Sequence, residues 1–336
     1  MIVVSTGCPA GIGPEVSVAA AARLRSVPCV LVGDARTLHM AAELVGVSRR
    51  RFVPFASAAP APGKIAVYQA GPVLRPAERR PGRPSRVAGA AQLAYVNAAF
   101  QLARERPGRA LVTGPVSKSV IATSGAPGAA QFRGHTEWLR DQDGAKHSIM
   151  CFVSRRLATS LVTTHLPLGE VPRSLTPEGV SQAVVWLARL LRALGKRRPL
   201  LAVAALNPHA GEDRLFGQEE SFAIVPGMAL AQRRLRRSAL LFGPIGAETA
   251  FRKAYLGHYD GVVAMYHDQA TIATKLVAFG DAVNVTMGLS VVRTSVDHGT
   301  AYDIAWQKRA SPAGMASAMR LGARLAGARE LRGRAR

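Results

Sequence analysis

The chain has 336 residues, 48% of them hydrophobic, and carries 44 Lys and Arg against 21 Asp and Glu, a net charge of +23. That length suits two moderate domains, and that apolar share fills real cores, which excludes a disordered chain. No apolar run approaches the ~18 residues of a membrane span, and Met1-Ile2-Val3-Val4 reads as a first strand, without the charged lead of a signal peptide.

The three cysteines, Cys8, Cys29 and Cys151, share no metal-type spacing and are odd in number. A reducing compartment, the cytoplasm, is the expectation. The positive charge attracts anions, either nucleic acid or phosphorylated metabolites. It is mostly arginine, scattered in short groups such as Arg49-Arg50-Arg51 and Arg236-Arg237. No zinc-finger spacing, aromatic-interleaved RNA motif or long basic block accompanies it, so a solvated basic surface is preferred to a nucleic-acid face.

In chain order, short apolar runs alternate with helical patterns. Strands are predicted at Ile2-Val3-Val4, 29–32, 110–112, 149–153, 159–162, 200–204 and 261–265. Their continuous apolar character points to strands covered on both faces, as in parallel sheets. Helices are predicted over 14–24, 86–104 and 178–194, the last opened by Thr176-Pro177-Glu178 and closed by Gly195. The fold class is therefore α/β, helices layered on sheet. Residues 71–86, "GPVLRPAERRPGRPSR", hold four prolines and five arginines and read as an exposed loop.

Three of the predicted strands run into histidines: "LVTTHLPLG" at His165, "VAALNPHAGE" at His209 and "VVAMYHDQ" at His267. In a parallel sheet, ligands bind beyond the carboxyl ends of the strands. Three imidazoles there suit a divalent metal with an open position for substrate. Asp268 can steer an imidazole or move a proton. The plainer alternative is that each histidine satisfies a loop carbonyl.

Several segments suit anions. "TGCPAGIGPE" follows the first strand and opens a helix, so Gly11 and Gly13 can admit a ligand or cofactor, or merely make a tight turn. It has neither G-x-G-x-x-G spacing nor a Walker lysine. "FRGHTEWL" sets His135 and Thr136 where a helix starts; Thr136 is either its cap or, with His135, an anion ligand. Lys275, Asn284 and Arg293 follow His267 at intervals of nine from 275, with charges that suit phosphate or carboxylate. "RTSVDHGTAYDIA" reads as a polar loop leading into a helix, where Asp297 and Asp303 can accept from ribose hydroxyls and His298 can face adenine; equally, Asp303 is a solvated helix residue.

Together these segments resemble one family. "GCPAGIGPE", "LVTGPVSK", "FRGHTEWL", "TTHLPL", "LNPHAGEDRLFGQEE", "YDGVVAMYHDQ" and "VNVTMGLSVVRTSVDHGTAYDIA" are similar, in order, to the signatures of the 4-hydroxythreonine-4-phosphate dehydrogenase family of pyridoxal 5′-phosphate biosynthesis. The resemblance implies an isocitrate/isopropylmalate-dehydrogenase-like fold, two α/β/α domains flanking a cleft. It places the first domain at about 1–128 and 245–336 and the second, with a homodimer interface, at 129–244. It implies a metal (Zn, Mg or Co) on His165, His209 and His267, one of them from the partner subunit. Substrate contacts fall on His135, Thr136, Lys275, Asn284 and Arg293, and NAD or NADP on the glycine loop and the "DHGTAYDIA" segment.

The implied reaction oxidises 4-phosphohydroxy-L-threonine to a β-keto acid that loses CO₂ to give 3-amino-2-oxopropyl phosphate, with Asp268 and Lys275 as catalytic candidates. The chain departs from the family at Cys8 and Glu248, where aspartate is usual, at Asp213-Arg214-Leu215, at Ala270, and in "TIATK", which lacks a common proline. These departures leave open a paralogue acting on threonate or erythronate 4-phosphate or on a dihydrodiol carboxylate. A basic, non-catalytic nucleic-acid binder is the alternative of a different class.

Overall fold

The computed structural model describes residues 1–278 and 280–331. The order is β1 (Ile2–Ser5), α1 (Gly13–Arg23), β2 (Cys29–Gly33), α2 (Ala35–Leu44), β3 (Phe52–Pro54), β4 (Ile65–Gln69), α3 (Arg86–Arg104), β5 (Ala110–Thr113), α4 (Lys118–Ala122) and α5 (His135–Asp143). Then come β6 (Ile149–Val153), β7 (Ala158–Leu161), α6 (Val171–Ser174), α7 (Pro177–Ala193), β8 (Leu200–Ala204), α8 (Val225–Leu235), β9 (Leu240–Ile245), α9 (Ala247–Tyr255), β10 (Gly261–Ala264) and α10 (His267–Ala278). The chain ends with β11 (Val283–Met287), β12 (Arg293–Ser295) and α11 (Ala313–Leu325).

Two compact units divide the chain: Met1–Ser148 with Leu289–Gly327, and Ile149–Gly288 with residues 328–331. The crossings thus lie later than the boundaries near 128 and 244 that the resemblance implies. α5 stays with the first unit because Trp138 packs on Phe132, with ring centroids 5.8 Å apart, and its indole N–H donates to Asn97 at 2.7 Å. β10 stays with the second unit because it pairs with β7 on one side and β8 on the other.

In the first unit the strand order is β3-β4-β2-β1-β5-β12, every pair parallel. α3 lies on it because Tyr95, Val96 and Phe100 share one face of the helix and bury against Val3, Val30 and Leu111. Each such large side chain contributes roughly 1.5–3 kcal/mol of burial. Ser85 starts the helix, its hydroxyl accepting from the Ala88 N–H at 3.1 Å.

In the second unit the order is β11-β6-β7-β10-β8-β9. β7, β10, β8 and β9 run parallel, but β6 is antiparallel to both β7 and β11. That corrects the expectation of parallel pairing throughout. A continuous apolar run reports burial on both faces, not direction, and the Ser154–Leu157 turn, closed by Ser154 N–H to Leu157 C=O at 2.9 Å, makes β6 and β7 a hairpin. α7 begins as its sequence indicates: the Thr176 hydroxyl accepts from the Gly179 N–H at 3.1 Å and Pro177 takes the first turn. Phe152, Leu161, Ala202, Val262 and Phe251 fill this unit's core.

Residues 71–86 are mostly exposed, as their composition suggests, with Leu74 and Arg79 as the buried exceptions. Arg79 is 9% exposed; its guanidinium donates to Leu74 C=O at 2.8 Å and reaches Asp34 at 3.4 Å. No helix among the described residues is long and apolar enough to cross a membrane, and all three cysteines are free and buried.

Candidate active site

β7, β10 and β8 are neighbours in the second unit, parallel, and each ends shortly before one of the three histidines. His165 follows β7, His209 follows β8, and His267 begins α10 directly after β10. The chain thus brings all three to the carboxyl end of one sheet. His165 and His267 face each other with ring centroids 5.5 Å apart and planes inclined by 44°. An imidazole ligated at ~2.0–2.1 Å has its centroid roughly 3.2 Å from the ion, so two such rings on a tetrahedral ion stand about 5 Å apart. The pair therefore fits a shared cation.

His209 does not join them within the chain. Among the described residues no group of three His, Cys, Asp or Glu side chains is close enough to hold one ion. The backbone supplies the reason. From His209 through Arg214 every residue has positive φ, between 39° and 84°. That left-handed run carries the loop away from a regular strand-to-helix turn and leaves His209 exposed, its ring 6.2 Å from Phe216. Glu220 anchors the loop base, accepting from the Leu206 and Asn207 N–H groups at 2.9 Å each. Burial raises the pKa of Glu220, but these bonds outweigh it and hold the group below its ordinary range.

Asp268 Oδ1 lies 3.5 Å from His267 Nδ1, longer than an ordinary hydrogen bond, and the carboxylate is mostly exposed. The residue beside it does more. Gln269 accepts from the Met265 N–H at 2.7 Å and donates to Ala205 C=O at 2.8 Å, tying the ends of β10 and β8 together. This positioning residue escapes sequence reasoning, although "HDQ" contains it. Lys275 lies on α10, eight residues beyond His267, and Asn284 lies on β11, its side-chain oxygen buried without a partner.

The first unit holds a second constellation. α5 begins at His135, and Gly134, not Thr136, is its N-cap. The cap alternative for Thr136 is thereby corrected: its hydroxyl instead accepts from Arg293 Nη1 at 3.1 Å. Arg293, 4% exposed on β12, also donates to the Thr113 hydroxyl from Nε at 3.1 Å and Nη2 at 2.9 Å. Its fork is thus fixed by two hydroxyls. Burial pushes the Arg293 pKa down to about 10, against the opposing pull of Glu137.

His135 is half-buried, its Nε2 is buried without a hydrogen-bond partner, and burial of the ring together with Arg293 and Lys118 keeps its pKa well below 6.5. Lys118, at the start of α4, and the Glu137 carboxylate both approach Gly134: an added Cβ would lie 3.6 Å from Lys118 Nζ and 2.7 Å from Glu137 Oε2, so an incoming anion has to displace that acid. A helix start, a buried fork, a lysine and a neutral imidazole with an open nitrogen make an anion cradle. Lys118 and Thr113 are additions to the residues singled out from the sequence; "LVTGPVSK" holds both, Thr113 as the last residue of β5 and Lys118 as the first of α4.

The glycine loop is explained by its own chain. A Cβ on Gly11 would lie 2.8 Å from Thr300 C=O, and one on Gly13 would lie 2.2 Å from Thr6 C=O. Both glycines are required by close backbone packing, whatever else they admit. Cys8 Sγ stands 3.4 Å from the Tyr302 hydroxyl, and the Trp306 indole donates to Pro9 C=O at 3.2 Å. The glycine loop and residues 300–306 therefore form one packed body. Asp297, His298 and Asp303 lie exposed on this segment. The expected helix after it does not follow: turns run on through 308, with Ala301, Trp306 and Lys308 at positive φ, and α11 starts only at Ala313.

Proteins of known activity share this chain's sequence and fold. The family model described as "Pyridoxal phosphate biosynthetic protein PdxA" matches residues 25–322. A 4-hydroxythreonine-4-phosphate dehydrogenase of Geobacter metallireducens is 37% identical over 332 residues, covering 97% of this chain and 95% of its own. The crystal structure of a 4-hydroxythreonine-4-phosphate dehydrogenase from Klebsiella pneumoniae matches with TM-score 0.83 and 36% identity, over 97% of this chain and 99% of that one. A terephthalate 1,2-cis-dihydrodiol dehydrogenase from Burkholderia xenovorans matches with TM-score 0.68 and 29% identity, over 96% and 97% of the two chains. With a dehydrogenase-like α/β fold, paired histidines at the strand ends and relatives matched along nearly its whole length, this chain belongs to the PdxA family.

Proposed function

We propose that this chain oxidises 4-phosphohydroxy-L-threonine with NAD⁺ or NADP⁺, forming a β-keto acid that decarboxylates to 3-amino-2-oxopropyl phosphate in pyridoxal phosphate biosynthesis. The observation that carries the reading is the His165–His267 pair, 5.5 Å apart at the ends of adjacent parallel strands, in a chain whose relatives carry that activity's name. His165, His267 and His209 would hold one divalent ion (Zn, Mg or Co). When bound, that ion supplies Lewis acidity to the hydroxyl being oxidised and to the keto acid as it loses CO₂.

The chain's own groups do the rest. Arg293, its fork fixed by Thr113 and Thr136, binds a phosphate or carboxylate with little loss of side-chain freedom. His135 stays neutral at pH 7 and donates or accepts one hydrogen bond through Nε2. Lys275 and Asn284 serve substrate binding, with Lys275 or Asp268 moving the hydroxyl proton. Gly11, Gly13, Asp297, His298 and Asp303 serve the dinucleotide.

His209 is assigned to the partner subunit's site in a homodimer. Its loop is followed by Leu215, 74% exposed, and α10 shows Ile272 and Leu276 to solvent at 67% and 84%. Apolar residues so displayed beside both halves of the histidine set suit a second copy of the chain. The location assigned is the cytoplasm, where the three cysteines stay reduced.

Purified protein given 4-phosphohydroxy-L-threonine and NAD⁺ or NADP⁺ should form reduced nicotinamide, and a chelator should stop it. No turnover of that substrate beside turnover of a threonate or erythronate 4-phosphate, or of a dihydrodiol carboxylate, would move the chain to the paralogous reading. The dihydrodiol dehydrogenase likeness makes that comparison necessary.

A further inference from the structure

A cavity of about 600 Å³ opens in the first unit beside the end of α1, the end of α2 and residues 308–312. Arg23, Arg25, Arg51 and Lys308 line it. They come from three separate stretches of chain, so the fold, and not a basic run, brings them together. Among the described residues none of the four makes an ion pair. Arg51 is held in place, Nε donating to Gly63 C=O at 2.8 Å and Nη1 to Ala22 C=O at 3.1 Å, and its Nη2 is buried without a partner, so Arg51 contributes charge to the cavity while Arg23, Arg25 and Lys308 offer the open donors. These carbonyls orient the fork without neutralising its charge.

The one acid lining the cavity is Glu15, only 2% exposed, and its carboxylate is already engaged. It accepts from the Trp306 N–H at 2.9 Å and from the Lys308 N–H. Four cations therefore share one concave surface with no available counter-charge, a state that a multiply charged anion relieves.

We infer that this cavity binds a phosphate-bearing small molecule, separately from the anion cradle around Arg293. The volume admits a ligand of nucleotide size, and Arg23 and Arg25 supply forked donors for phosphate oxygens. The bound anion would be sensed by the loop that follows Ser295, because Glu15 pins that loop at Trp306 and Lys308 while Lys308 faces the cavity. The inference does not depend on which substrate the enzyme oxidises.

The test is calorimetric titration of the full-length protein with inorganic pyrophosphate at low salt, without substrate. Arg23→Ser/Arg25→Ser and Lys308→Gln alter exposed side chains on different elements; their melting temperatures check the fold. Each should weaken one class of pyrophosphate sites by about tenfold or more. Arg293→Lys should leave that class intact and affect only the cradle. Displacement of pyrophosphate by NADP⁺ but not NAD⁺ would identify the dinucleotide's 2′-phosphate as the occupant, and displacement by neither would identify a separate phosphorylated metabolite; both support the site. Wild-type affinity in both cavity variants, or a single class of sites abolished by Arg293→Lys, overturns it.

Discussion

The two constellations are built in opposite ways. The cradle of the first unit is buried and nearly finished in one chain: Arg293 is 4% exposed, its fork already occupied by Thr113 and Thr136. The histidine set of the second unit is open. It pairs two rings and leaves His209 exposed on a left-handed loop. The difference suits the roles proposed for each. A binding group gains from being fixed before the anion arrives, whereas a cation site that takes one ligand from another subunit, as proposed, would stay accessible until the subunits meet.

The largest expected effect lies on the open side. His165→Ala or His267→Ala should remove the bound metal and cut kcat/KM by ~10³-fold or more, read by metal content and initial rates of NADH formation. Such variants should retain substrate binding, since the cradle is intact. On the closed side, Arg293→Lys should raise KM about 10–100-fold and change metal content little, because lysine cannot reproduce a fork shared between two hydroxyls. If both variants lost metal equally, the separation of roles would be wrong.

Gln269→Ala probes positioning. Untying Met265 from Ala205 should weaken metal binding about tenfold without altering the affinity for phosphate. A Gln269→Glu variant, which keeps the acceptor for Met265 N–H, should be milder than the alanine.

The smallest effect is a pH dependence. His135 has a folded-state pKa depressed below 6.5, so the unfolded chain binds the proton more readily. Stability is therefore fully present above pH 6.5 and falls as pH drops below it towards the folded value, by up to about 1.4 kcal/mol per pH unit for this one group. Denaturant melts of His135→Asn should lack that part of the acid slope. An unchanged slope would place the proton elsewhere.

Much of the frame is legible in the sequence. All seven predicted strands form, and the helices expected over 14–24, 86–104 and 178–194 appear within a residue at each end. Long apolar runs and proline or serine starts are strong local signals. Among the strands that escape, β12 is Arg-Thr-Ser and β9 is a sheet edge containing glycine and proline, whereas β4, Ile-Ala-Val-Tyr-Gln, and β11, Val-Asn-Val-Thr-Met, carry ordinary strand patterns and were passed over. The conformation of β12 and β9 comes from pairing, as β12 shows against β5. Direction is equally non-local, which is why β6 turns out antiparallel.

At the site, the three histidines could be read because each ends an apolar run. Lys118 could not, since one lysine in a basic chain carries no signal until α4 is packed beside Gly134. Nor could the left-handed path from His209 to Arg214, where glycine is nearly absent and the backbone goes that way regardless.

The most direct test of the central claim, that His165 and His267 of one chain share a metal with His209 of another, is subunit mixing. His165→Ala and His209→Ala proteins, each almost inactive alone, are unfolded, combined in equal amounts and refolded. Random pairing leaves one intact site in about half of the dimers, so about a quarter of wild-type NADH formation should return. No recovery from two well-folded variants, or full activity and metal content in His209→Ala alone, would contradict it.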